Sequence, residues 1–230
     1  MIVRILPEAI QLITQPDHAR LAGEIMARSS GLQHHQRRDS ILLAVTEHDN
    51  GWREEDAAPM VDEHGVVDFV RAPLAVRHRV WPRAVARLRQ DPWAAALVAQ
   101  HAITVYDRYR TDAAWDTFFS AMELDRDAML RAAAGSRADL EADYVHVRLG
   151  DLISLAFCTG WTDEHHFAPW TVRLDGSRVI VKPDPFGGAA VPIRIAARQI
   201  VRRDIGSDRA FREALHGSAA VQLDGEVTGA

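Results

Sequence analysis

The chain has 230 residues, with 32 Asp+Glu against 27 Lys+Arg and a formal net charge of −5, a length that suits one large domain with a sizeable core. At 47% apolar and 26% charged it reads as an ordinary globular protein rather than a disordered one, and its acidic balance gives no overall pull towards nucleic acid or anionic membrane. The lone cysteine, Cys158, excludes an internal disulfide framework; with no secretory signal and no run of ~18 apolar residues, a cytoplasmic, non-membrane protein is expected.

In chain order, Ile2–Leu6 and Ile10–Thr14 read as two short extended pieces around a turn. Pro16-Asp17 opens a helix with Asp17 as its expected N-cap, and Ala19, Leu21, Ala22, Ile25 and Met26 carry its apolar face. A polar loop containing His34, His35, Arg37 and Arg38 precedes a second helix. That helix starts at Asp39, runs through Ile41–Val45 into Glu47-His48-Asp49, and stops at Asn50-Gly51. Residues 52–75 look irregular. Helical patterns return at about 79–90, 93–110, 112–134 and 137–159. Beyond Gly160 the period changes: Thr171–Leu174, Asp175-Gly176 and Arg178–Lys182 form a strong hairpin signal. Val191–Val201 suggests a further strand and 207–216 a short helix. These elements predict a mainly α single domain over 1–230. Its helical body of five or six helices covers about 15–160, with small β additions at the N-terminus and in a C-terminal extension of about 168–230.

The 11 histidines stand against a single lysine, Lys182. Helical spacing separates a few of them from the rest. His48 and Asp49 end a strongly apolar helix, and His101 is flanked at helical spacing by Leu97, Val98 and Val105. Asp151 sits in the apolar run Leu149–Phe157, and His18 occupies a first turn beside Leu21 and Ala22. Burying such groups costs free energy unless they are hydrogen-bonded, paired or bound to metal. One imidazole or carboxylate on an apolar face is usually a satisfied core group. Five on four helices point instead to a mixed N/O metal site within a helical body, suited to Fe, Mn, Zn or Ni. Cys158 reads as a small core hydrophobe, and no nucleophile elbow, P-loop or dinucleotide fingerprint is present.

The order His18 … His48-Asp49 … Asp151 resembles the H…HD…D signature of the HD-domain superfamily of metal-dependent phosphohydrolases. Closer still is the resemblance to the uncharacterised bacterial domain-of-unknown-function family 3891, around QPDHARLAG (15–23), AVTEHDNGWRE (44–54), LVAQHA (97–102) and GDLISL (150–155). This resemblance implies an HD-like helical domain in which His18, His48, Asp49 and Asp151 ligate one divalent metal. His101 would be a fifth ligand or general acid/base, and a second ion would need help from His34, His35, His165 or His166. It implies hydrolysis of a phosphate ester or nucleotide by metal-activated water, with Asp49 and His101 as the catalytic residues. Arg53 and Trp52 are the nearest substrate-binding candidates by sequence. Two alternatives stand beside this reading: a di-iron oxygenase with a similar ligand set, and a metal- or ligand-binding protein without turnover. The expected partner is a small phosphorylated molecule, with no nucleic acid or membrane, and a homodimer through the β additions is left open.

Overall fold

The computed structural model describes residues 1–202 and 205–230. Strands β1 (Ile2–Ile5) and β2 (Ala9–Ile13) form the expected antiparallel hairpin. Helix α1 (Gln15–Met26) follows at once. Its cap is Thr14 rather than Asp17: the Thr14 hydroxyl accepts the Asp17 amide at 3.1 Å, which leaves Asp17 in the first turn. Helix α2 (Arg38–Glu47) is separated from the short α3 (Arg53–Ala57) by a tight 3-10 turn over Asn50–Trp52. Strands β3 (Val61–Asp62) and β4 (Gly65–Val66) form a small separate ladder, so the 52–75 segment is less irregular than its composition suggests.

Four longer helices follow: α4 (Leu74–Arg87), α5 (Pro92–Tyr106), α6 (Asp116–Ala132) and α7 (Arg137–Thr159). Asp91 caps α5 by accepting the Ala94 amide at 3.0 Å. Ser136 and Asp139 form a reciprocal capping box at the start of α7. The chain then runs through β5 (His165–Phe167), β6 (Trp170–Asp175), β7 (Arg178–Lys182), β8 (Val191–Val201), α8 (Asp208–His216) and β9 (Ala219–Gly229).

The mainly α, HD-like fold expected above is not the one adopted. The chain is about 51% helix and 21% strand, and its two β regions join into one curled sheet rather than decorating the ends of a bundle. The seven strands run in the order β1-β2-β8-β9-β7-β6-β5. β2 pairs with β8 across nearly the whole chain (Ile10 opposite Ile200), and β7 lies parallel to β9. In β8 the alternation is clean: Val191, Ile193, Ile195 and Ala197 face inward, while Pro192, Arg194, Ala196 and Arg198 face out. Each buried Val or Ile there contributes about 1.5–3 kcal/mol. Those side chains share one apolar core with Leu149, Ile153, Ala156 and Phe157 of α7, so the sheet closes one face of the helical layer. Among the described residues, no helix is long and apolar enough to cross a membrane.

Candidate metal centre

Four helices bring the predicted donors together. α1 supplies His18, the end of α2 supplies His48 and Asp49, α5 supplies His101 and α7 supplies Asp151. All five are buried, His18 and His48 completely. Two glycines allow the approach. A Cβ on Gly51 would overlap the Val80 carbonyl of α4, and one on Gly150 would lie 2.7 Å from Met26 Cγ and 2.9 Å from Val45 Cγ1. The turn after α2 can therefore sit directly on α4, and α7 can press against α1 and α2.

The donors form two overlapping trios, His18–His48–Asp49 and His48–His101–Asp151, in each of which one donor atom per residue lies within 4.8 Å of the others. His18 Nε2 is 2.8 Å from Asp49 Oδ2. His48 Nε2 lies 3.6 Å from Asp49 Oδ2 and 3.5 Å from Asp151 Oδ1, and His101 Nε2 lies 3.7 Å from Asp151 Oδ2. The His48 ring centroid is 5.0 Å from those of His18 and His101.

The opposite ring nitrogens explain the orientation. His48 Nδ1 donates to the Val45 carbonyl at 2.7 Å. Ser154 Oγ gives its one hydrogen to the Asp151 carbonyl at 3.0 Å, so it accepts from His18 Nδ1 at 2.9 Å. His101 Nδ1 is hydrogen-bonded to Tyr144 Oη at 3.1 Å. Each imidazole thus has Nδ1 committed outward and Nε2 turned towards the carboxylates, the arrangement by which outer partners fix the tautomer of ligating histidines. The buried Nε2 of His48 makes no hydrogen bond. An orphaned imidazole nitrogen beside two buried carboxylates fits a divalent cation, which would satisfy that nitrogen together with the carboxylate of either trio.

The electrostatics agree. Burial pulls the His48 pKa down, but Asp49 and Asp151, helped by the Val45 carbonyl, outweigh it and raise the value to about 9. Burial also opposes ionisation of Asp49 and Asp151, and the surrounding imidazoles, joined by Arg148 at Asp151, hold both carboxyls below their usual range. Burial lowers His101 to about 3, which keeps it neutral. In the metal-free chain, the stability from His48 is full below pH 6.5 and lost as pH rises towards 9. His101 works in the opposite direction: its contribution holds above pH 6.5 and is lost as pH falls towards 3. A ligating imidazole is neutral, so at pH 7.5 metal binding is expected to expel close to one proton from His48. Calorimetric titration in buffers of different ionisation enthalpy measures this; a heat independent of buffer would contradict it.

A cleft of about 300 Å³ reaches Asp49, His101 and Asp151, with Trp52, Trp81 and Tyr106 in its walls. Trp52, a substrate-binding candidate by sequence, lines this cleft. Arg53 is not among the lining residues; it pairs with Glu47 at 2.7 Å on the surface. His165 lines the cleft, while His166 is exposed beside Glu164, His34 is exposed, and His35 pairs with Asp143 at 3.2 Å away from the donors. The sequence reading missed Arg148, whose Nη1 donates to Asp151 Oδ2 at 2.5 Å, as well as Tyr144, Ser154, Arg77 and Arg108. Tyr144, Arg148 and Ser154 stand seven and three residues before Asp151 and three after it, on one face of α7, so helical spacing from Asp151 could have found them. Cys158 is buried and its thiol is pushed well above the usual range by burial, which suits a core role.

Residues 1–202 match the family model described as "Protein of unknown function (DUF3891)", and the chain belongs to that family. No curated protein and no solved structure matches the chain.

Proposed function

We propose that this DUF3891 chain is a metal-dependent hydrolase of a phosphate ester. The observation that carries the reading is the convergence of three buried Nε2 atoms on two buried carboxylates, with every Nδ1 held by another partner. A divalent ion bound there would bring the pKa of a coordinated water towards neutrality and polarise a phosphoryl oxygen. His18, His48, Asp49 and Asp151 hold it, with His101 as the fifth donor or as a base beside it. His48 Nε2 belongs to both trios and can ligate only one ion, which supports one metal rather than the di-iron centre of the oxygenase alternative.

The chain's own groups do the rest. Asp49 and Asp151 face the cleft, so a substrate can reach the donors; this favours turnover over a purely structural site. Arg148 holds one oxygen of Asp151 and, as a cleft-lining guanidinium, can accompany a phosphoryl oxygen on the other side. Phosphorus as the centre attacked is chosen on the resemblance of the order His18 … His48-Asp49 … Asp151 to a phosphohydrolase signature, a likeness of ligand order alone. The test is release of 4-nitrophenol from 4-nitrophenyl phosphate by protein reloaded with Fe, Mn, Zn or Ni. Activity is expected with at least one metal, abolished by chelation and by Asp49→Asn. Turnover that survives chelation, or none with any of the four, contradicts the proposal.

A further inference from the structure

Helix α5 carries His101 near its middle and is continued by a 3-10 turn over Asp107–Tyr109. Arg108 is seven residues beyond His101, roughly 10 Å along the axis. Thr104, Val105 and Tyr106 lie between them and line the cleft, as does Arg77 of α4. The cleft therefore runs along α5, with the metal donors at one end and two arginines at the other.

Those two arginines are unusual among their neighbours. Arg79 is paired with Glu55, and Arg110 with Asp107 and Glu123. Neither Arg77 nor Arg108 forms an ion pair among the described residues. Burial raises the pKa of the neighbouring Tyr109 phenol, and the two guanidinium groups outweigh that and lower it. The Arg108 guanidinium carbon is 4.8 Å from the Tyr109 ring centroid, and Arg77 is steered by a hydrogen bond to the Val70 carbonyl. Two guanidinium groups lining one cleft can both attract an anion bound there. The cleft lining also includes the apolar Val105, Leu152 and Leu155. At about 300 Å³ the cleft is at the small end of ligand sites.

We infer that the cleft takes a small two-ended anion: a phosphoryl group at the metal donors, an apolar or aromatic spacer along Val105 and Leu155, and a second anionic group, carboxylate or phosphate, between Arg77 and Arg108. The identity of the first end rests on the phosphohydrolase reading; the second end rests on the arginine pair.

The experiment is calorimetric binding of three non-hydrolysable probes to full-length protein loaded with whichever of Fe, Mn, Zn or Ni it retains best. Phenylphosphonate has one anionic end, and 4-carboxyphenylphosphonate and 1,4-phenylenebisphosphonate have two. At least one two-ended probe is expected to bind tenfold or more tighter than phenylphosphonate, and which one does so distinguishes a carboxylate from a second phosphate. In Arg77→Gln/Arg108→Gln, checked for an unchanged circular-dichroism melt, that ratio is expected to fall towards one. Equal affinities for all three probes, a ratio retained in the double variant, or no binding at all overturns the inference. Nitrophenol release by the same preparations judges the hydrolase reading separately: turnover without two-ended preference overturns only the inference, and preference without turnover upholds the anion site while overturning the hydrolase.

Discussion

Replacing His48 by alanine is expected to lower divalent-metal affinity by at least on the order of 100-fold, since even partners one layer beyond the ligands cost 10–100-fold when removed. His48 Nε2 is the donor shared by both trios, so its loss opens each of them. Phosphate-ester turnover should fall with the metal. The fold also suffers: in the metal-free chain the charged His48 sits between Asp49 and Asp151, and removing one partner from a buried ionic cluster costs about 3–5 kcal/mol. His48→Gln, which keeps bulk and a polar end but no imidazole nitrogen, separates the two effects. It should recover part of the stability and little of the metal affinity. Metal content by elemental analysis and urea unfolding measure the pair. A folded His48→Gln protein with wild-type metal content would show that the donors do not act as a centre.

Gly51→Ala is expected to destabilise the protein by about 3 kcal/mol or more, because overpacking a site with no room forces backbone apart. The obstruction is not a flexible side-chain tip: the added Cβ meets the Val80 carbonyl oxygen and carbon and the Ala84 amide nitrogen of α4. Relief by local adjustment is also restricted, since Arg83 of α4 donates to the Gly51 carbonyl at 3.0 Å and Arg87 donates to the Asn50 carbonyl. Any shift of this turn moves Asp49 and Trp52 as well, so metal affinity should drop along with stability. For a chain of this size the change corresponds to a melting shift of roughly 10 °C. A shift of only a degree or two would mean that α4 moves aside freely and that the close approach does not position the centre.

The donors were legible in the sequence because each is a polar residue within a helical apolar face, and such faces are read from local spacing alone. His18, His48, Asp49, His101 and Asp151 needed only that α1, α2, α5 and α7 converge. The sheet was not legible in the same way. Its hairpins were, with β1–β2 and β6–β7 at the expected places, but closure depends on β2 meeting β8, a pairing of Ile10 with Ile200 that no local window contains. β9 (AAVQLDGEVTG) hides better still: it has Gly, Asp and Glu inside it and mostly half-exposed positions, so its alternation is weak. Taken as separate additions, those segments predict a mainly α, HD-like domain; paired across the chain, they make one sheet. Arg53 is near the His48-Asp49 doublet in sequence, yet Glu47 claims it. The guanidinium groups that reach the cleft come from α4, from the turn after α5 and from α7.

The most direct test of the whole account is the metal content of wild-type protein after reconstitution with Fe, Mn, Zn and Ni in turn, read by elemental analysis. Close to one ion per chain for at least one metal, falling sharply in His48→Gln, is the predicted result. Less than ~0.2 ion per chain with all four, from folded protein offering five buried donors, would contradict it.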